Sequence, residues 1–196
     1  KPFDINYTTD MDGVLETRYE EIRPLGIIFN SGDQVDFKIW NKYDFVDKPG
    51  GWRIFGNTIV PRGVYKWWYY DISYSGSRNR PVALDFSTNF GDHYSGTRKY
   101  YNTSLSFKRT KYYSLSADMN YNDITIEKSR FITREYGGRL GVDINTRLSS
   151  SVFVQYNNNT KEITTNFRIH YIPRVGSDIY IVYNHLLEEE FDYRTK

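Results

Sequence analysis

The chain has 196 residues, no cysteine, and a net charge of only +2 from 26 basic and 24 acidic side chains. That balance excludes the footprint of a nucleic-acid binder, and the missing thiols exclude disulfide scaffolds and thiolate metal sites. A mean hydropathy of −0.67, with no run of eighteen apolar residues, excludes helical membrane spans, while 19 Tyr and 4 Trp help bring the aromatic share to 18%.

Glycine, proline and asparagine punctuation cuts the chain into about ten segments of strand character. Before Asn30 the pattern is weak, although Leu25, Ile27 and Phe29 alternate. After the turn NSGD, Val35, Phe37, Ile39, Tyr43 and Phe45 alternate with Gln34, Asp36, Lys38, Lys42 and Asp44, and Trp40 breaks the polar series. The stretch 47–62, with DKPGG and IVPRG, reads as a long irregular connection. Trp68, Tyr70, Ile72 and Tyr74 then oppose Trp67, Tyr69, Asp71 and Ser73. Val82, Leu84, Phe86, Thr88 and Phe90 oppose Ala83, Asp85, Ser87 and Asn89.

Beyond GDHYSG, Tyr101, Thr103, Leu105 and Phe107 oppose Asn102, Ser104, Ser106 and Lys108. In KYYSLSADMNYND, Tyr113, Leu115, Ala117, Met119 and Tyr121 share one parity, and Ser114, Ser116, Asp118, Asn120 and Asn122 the other. Gly138, Leu140, Val142 and Ile144 oppose Arg139, Gly141, Asp143 and Asn145. Leu148, Val152, Val154 and Tyr156 oppose Ser149, Ser151 and Gln155, with Phe153 an exception. Ile163, Phe167, Ile169 and Tyr171 oppose Thr164, Asn166, Arg168 and His170, and Ile179–Tyr183 is apolar on both parities. Strict alternation is the mark of a strand with one wet and one dry face. Only LLEEEF suggests a helix, and it is too short to stand alone. The sequence predicts an all-β antiparallel meander.

Two architectures fit half-apolar strands. A soluble sandwich or small barrel turns its apolar faces inward; an outer-membrane barrel turns them to lipid. Three features favour the membrane. The wet faces are rich in Ser, Asn and Asp rather than long charged side chains. Aromatics gather at segment ends, as an interfacial girdle requires; Trp67, Trp68, Tyr70, Tyr101, Tyr113, Tyr156 and Tyr171 are its candidates. The segments run about nine to thirteen residues, long enough to cross a bilayer at a tilt. Tyr-rich alternating strands also build soluble sugar-binding sandwiches, which remain the alternative.

Several phrases carry a resemblance: NSGDQVDF, IVPRGVY at Ile59–Tyr65, GDHYSG at Gly91–Gly96, and VQYNNNTKEITTNFRIHYIPRVGSDIYIVYN at Val154–Asn184. From about Leu15 onward the chain resembles a C-terminal β-barrel domain of unknown function that often follows a carbohydrate-binding family-nine-like domain. The resemblance implies the outer membrane of a Gram-negative bacterium and brings no catalytic residues. Relatives in that family continue into a further strand ending in an aromatic residue, whereas Phe191 and Tyr193 here precede a terminal Lys196. No signal peptide precedes Lys1. The sequence is therefore expected to be a segment of a longer protein, with residues 1–196 a single β-barrel domain or the C-terminal part of one.

His93, between Asp92 and Ser95, could suggest a barrel hydrolase, but nothing supplies a Ser–His pair with an orienting third group, so it reads as a turn histidine. No phosphate loop or metal-ligand spacing is present, and no cofactor is expected. The polar face is the best functional feature: Asp36, Lys38, Asp71, Asp85, Lys108, Asp118, Arg139, Asp143, Arg168 and His170 are its predicted lumen lining. About ten strands leave a largely filled interior, whereas 16 or more leave a channel. Trp52, in the loop with Gly50, Gly51 and Phe55, is a candidate to stack on a sugar. The expected protein is a non-enzymatic up-and-down outer-membrane barrel. It would act as a scaffold or as a passage or binding site for small polar solutes or glycans, with membrane lipid, glycans or envelope proteins as partners.

Overall fold

The computed structural model describes residues 1–55, 58–108, 110–127 and 129–188. Among them are thirteen strands and no helix: β1 (Phe3–Thr9), β2 (Leu15–Ile28), β3 (Gln34–Val46), β4 (Trp52–Phe55), β5 (Thr58–Val60), β6 (Gly63–Ser75), β7 (Val82–His93), β8 (Gly96–Phe107), β9 (Tyr113–Ile126), β10 (Ser129–Asn145), β11 (Leu148–Asn157), β12 (Glu162–Arg174) and β13 (Ser177–Glu188). Eleven of them pair in chain order into one up-and-down antiparallel sheet, and β4 and β5 form a separate hairpin. Short links between long strands permit only antiparallel neighbours, which is why the meander never crosses over. Among the described residues no ladder joins β1 to β13, so a closed ring is not part of the observed pairing.

Two compact units divide the chain. Residues 1–77, 85–102 and 122–132 form the first; residues 78–84, 103–121 and those from 133 onward form the second.

Register confirms the two faces. In the first unit Phe37 pairs with Ile72 and Ile39 with Tyr70, while Lys38 pairs with Asp71 and Lys42 with Trp67. In the second, Leu140–Val152–Phe167 makes an apolar row, and Arg139–Phe153–Asn166 lies beside it on the other face. The apolar face is the open one. Leu84 is 41% and Leu115 52% exposed, Phe86 and Val142 are half-buried, and no core gathers them.

The buried hydrophobics are few: Val46, Val60, Trp67, Ala83, Ile124 and Ile126. Val46, Trp67 and Ala83 share strand parity with Asp36, Asp71 and Asp85, and Ile124 and Ile126 share that of Asp118. Val60 comes from the hairpin. Val46, Val60, Ile124 and Ile126 form one cluster, with Ile54, Tyr65, Tyr94 and Phe131 packed around it. The stretch 47–62 is thus no irregular loop: its hairpin lays Val60 against the polar-face side of the sheet. Gly51 makes this possible, with φ +81 and an open side toward the Val60 carbonyl that any Cβ would strike. Val60→Ala removes two fully buried carbons, and an expected loss of roughly 1.5–2.5 kcal/mol follows, read as a lowered denaturation midpoint.

The sheet has eleven strands where about ten segments are expected; the added one is β1, where Phe3, Ile5 and Tyr7 alternate with Asp4 and Asn6 over only seven residues. The weak pattern before Asn30 has a physical cause: β2 shifts register between Ile22 and Leu25, where Pro24 lacks an amide, and parity changes across the bulge. Pro173 sits at a matching shift between Tyr171 and Arg174. Leu186–Glu188, the start of LLEEEF, belongs to β13 rather than a helix; its remainder, with Phe191, Tyr193 and Lys196, lies outside the described residues.

Candidate functional site: the polar face

In the first unit the polar face is built from rings and cations. Trp40, the exception in its polar series, stacks on Tyr69 at 5.9 Å, and Lys38 Nζ lies 5.9 Å from its ring. Lys42 Nζ sits 4.6 Å from the Tyr19 ring and 5.2 Å from that of Tyr69. Such contacts set an ammonium against a ring quadrupole, so a cation and an aromatic can share one crowded surface. Arg98 on β8 donates from Nε and Nη2 to Asn122 Oδ1 at 3.2 and 2.7 Å and so ties the face to the neighbouring strand β9. A small cavity of about 80 Å³ remains between Lys42, Trp67, Tyr69, His93 and Arg98.

Beside these rings lies an ionic network. Arg23 reaches Glu21 at 3.0 Å and Asp36 at 3.7 Å, and Lys38 reaches Glu21 at 3.7 Å. The bulge at Pro24 places Arg23 there. Asp36 is only 7% exposed and also accepts from Gln34 Nε2 at 2.5 Å. Asp71 pairs in register with Lys38 and accepts a hydrogen bond from Asn89. Lys38, Asp36 and Asp71 are therefore brought together, and Arg23 and Glu21 join them unannounced by the weak alternation of β2. In the β7–β8 turn, Tyr94 donates to Asp44 Oδ2 at 2.6 Å, and burial together with that carboxylate pushes its phenol well above the usual range.

The second unit repeats the theme more openly. Arg139 lies 4.9 Å over the ring of Phe153, which explains the one apolar residue in the polar series of β11. His170 stacks on Tyr180 at 4.4 Å and its Nε2 is 2.7 Å from Asp178 Oδ1. His170 and Asp143 line one cavity of about 570 Å³, together with Lys111, Tyr112, Arg147 and Ser149. Asp118 fills the space beside Gly137 that a side chain there would need. Asp85 is half-buried opposite Ser75, and Arg168 is exposed opposite Ser151 and Val182. Lys108 stands just past β8, its amide donating to the Pro81 carbonyl at 2.7 Å, so it belongs to a rim rather than a strand face.

Comparison with protein-family models, curated proteins and solved structures gives no match. The site must speak for itself.

The aromatic candidates divide. Trp68, Tyr70, Tyr101, Tyr113 and Tyr171 are exposed on the apolar face, and Tyr156 is half-buried there opposite Tyr136. Trp67 is not among them. It is 6% exposed and lies on the polar face, 5.8 Å from His93 and 4.7 Å from Tyr94. Its parity with Tyr69 and Asp71 already required this. Nor do the rings keep to strand ends, since Trp68 and Tyr70 sit mid-strand in β6. Trp52 is exposed on β4 but leans edge-on against Tyr94 at 5.8 Å, and the side chain of Phe55 lies outside the described residues.

His93 closes β7 instead of lying in a turn. It contacts Trp67 and Tyr94, while Asp92 and Ser95 are exposed. Among the described residues no three His, Asp or Glu gather as metal ligands. What the polar face offers is a set of fixed cations, carboxylates, rings and amides.

Proposed function

We propose that the chain belongs to an outer-membrane β-barrel of a Gram-negative bacterium, of the kind the phrases Val154–Asn184 resemble. Its apolar face meets lipid and its polar face encloses a largely filled interior. One observation carries this reading: large apolar side chains are exposed as a set along the sheet, while the buried hydrophobics sit on the polar face or on the hairpin laid against it. A soluble domain with that arrangement would expose far more contiguous apolar surface than water tolerates. Strands of twelve to seventeen residues, such as β7 and β10, are ample for a tilted crossing. Lipid also forbids unpaired edges, so the reading requires partner strands along β1 and β13 in the assembled protein.

Within the barrel the ring-and-cation surface serves as a scaffold or as a binding site and passage for small polar solutes or glycans. It carries no catalytic role. The test is partitioning. Expressed in a Gram-negative host, the whole protein is expected in outer membranes, extractable only by detergent and migrating faster unheated than boiled. Recovery as a detergent-free soluble protein would overturn this reading in favour of a soluble all-β domain.

A further inference from the structure

The hairpin β4–β5 is seated on the polar face of the first unit by side chains from strands that are not neighbours. Val46 comes from β3, and Ile124 and Ile126 from β9, four places further along the sheet. On a flat sheet, at about 4.8 Å per strand, those strands would lie roughly 19 Å apart. They share one cluster with the fully buried Val60, so the polar face is concave there and the hairpin fills the hollow. Ile54, Tyr65, Tyr94 and Phe131 close in from β4, β6, the β7–β8 turn and β10. The hairpin is also tied in place. At its base Arg62 pairs with Asp47, and Tyr65 donates to the Pro61 carbonyl at 2.9 Å. Trp52 leans on Tyr94, whose hydroxyl is bound to Asp44 of β3. Next along the face, Trp67, His93 and Tyr94 form a layer of rings. The space beside that layer is the cavity of about 80 Å³, enough for water or a small ion, whereas sites for small molecules begin near about 300 Å³.

We infer that the hairpin is a stopper: while it is seated, this end of the polar face is shut to sugar-sized solutes and open only to water or small ions. The inference deepens the passage reading above, on which it rests, by naming the element that sets the size limit. Its seat is apolar, and one unpaired charge buried there, or removal of the hairpin, releases it.

The rate at which vesicles swell in isotonic glucose, after reconstitution of the detergent-purified whole protein, tests it. Trp52 pairs with Val60, so residues 52–60 can be excised and Gly51 joined to Pro61. The parent is expected to admit glucose no faster than protein-free vesicles do. The excised variant and Val60→Asp are both expected to admit it severalfold faster, with heat-modifiable migration kept. Ile59→Asp, at an exposed position on the same strand, should behave as the parent does. Where excision or the buried charge prevents assembly, Gly51→Ala carries the same expectation, because its Cβ strikes the Val60 carbonyl. A parent as leaky as the variants, assembled variants as tight as the parent, or Ile59→Asp as leaky as Val60→Asp would each overturn the stopper. Absence of heat-modifiable migration in the parent would instead strike at the membrane reading, so the two failures are separable.

Discussion

Trp67→Ala is expected to cost about 3–5 kcal/mol of unfolding free energy, and Trp68→Ala, one residue on, distinctly less. The two indoles differ in face rather than chemistry. Trp67 packs against Tyr94 and His93 at 6% exposure and borders the small cavity beside Lys42 and Arg98. Its removal leaves a void among polar groups whose positions depend on it. Trp68 is 45% exposed on the apolar side, across from Asn41. Guanidinium unfolding in detergent micelles, followed by circular dichroism, measures both. A larger loss at Trp68 would mean that the faces are assigned the wrong way round.

Leu140→Arg is expected to destabilise the membrane-inserted protein by about 2–4 kcal/mol, the cost of an arginine near the bilayer midplane of a barrel. Leu140 stands in the row Leu140–Val152–Phe167 and its side chain is exposed. On a face that met water, the same change would move stability by no more than about 0.5 kcal/mol. Unfolding in phosphatidylcholine vesicles reads the difference. A near-neutral result there would sink the lipid-facing assignment, because no packed core surrounds Leu140 to confuse the outcome.

Period-two patterning is a local signal, and where backbones are regular it places residues correctly. Lys38 against Asp71 and Leu140 against Val152 were both legible as parity before any pairing was known. The exceptions were legible as exceptions but not as contacts. Trp40 and Phe153 break polar series because a ring can sit among cations, and the cation comes from the same strand or the neighbouring one. The hairpin β4–β5 was hidden, since strands of four and three residues are too short to show alternation. Its role depends on Val60 meeting Val46, Ile124 and Ile126 from distant strands. Trp67 departs from the girdle expectation for a different reason: its place near a segment end suggests an interface, but its parity puts it on the polar face. Arg78 and Arg80 come from a turn that reads as ordinary punctuation, and only the fold sets them around one cavity with Lys108 and Arg139.

The kink at Pro24 exchanges the two sides of β2 partway along its length. Tyr19 and Glu21 point with the ions, but beyond the kink Gly26 takes that side and Leu25 and Ile27 take the other. Glycine at position 26 leaves room for Asp36, whose carboxylate would lie 3.1 Å from any added Cβ, and so for the Arg23 bridge itself. One imino acid thereby aims an arginine at a buried aspartate and keeps the greasy side of the ribbon unbroken.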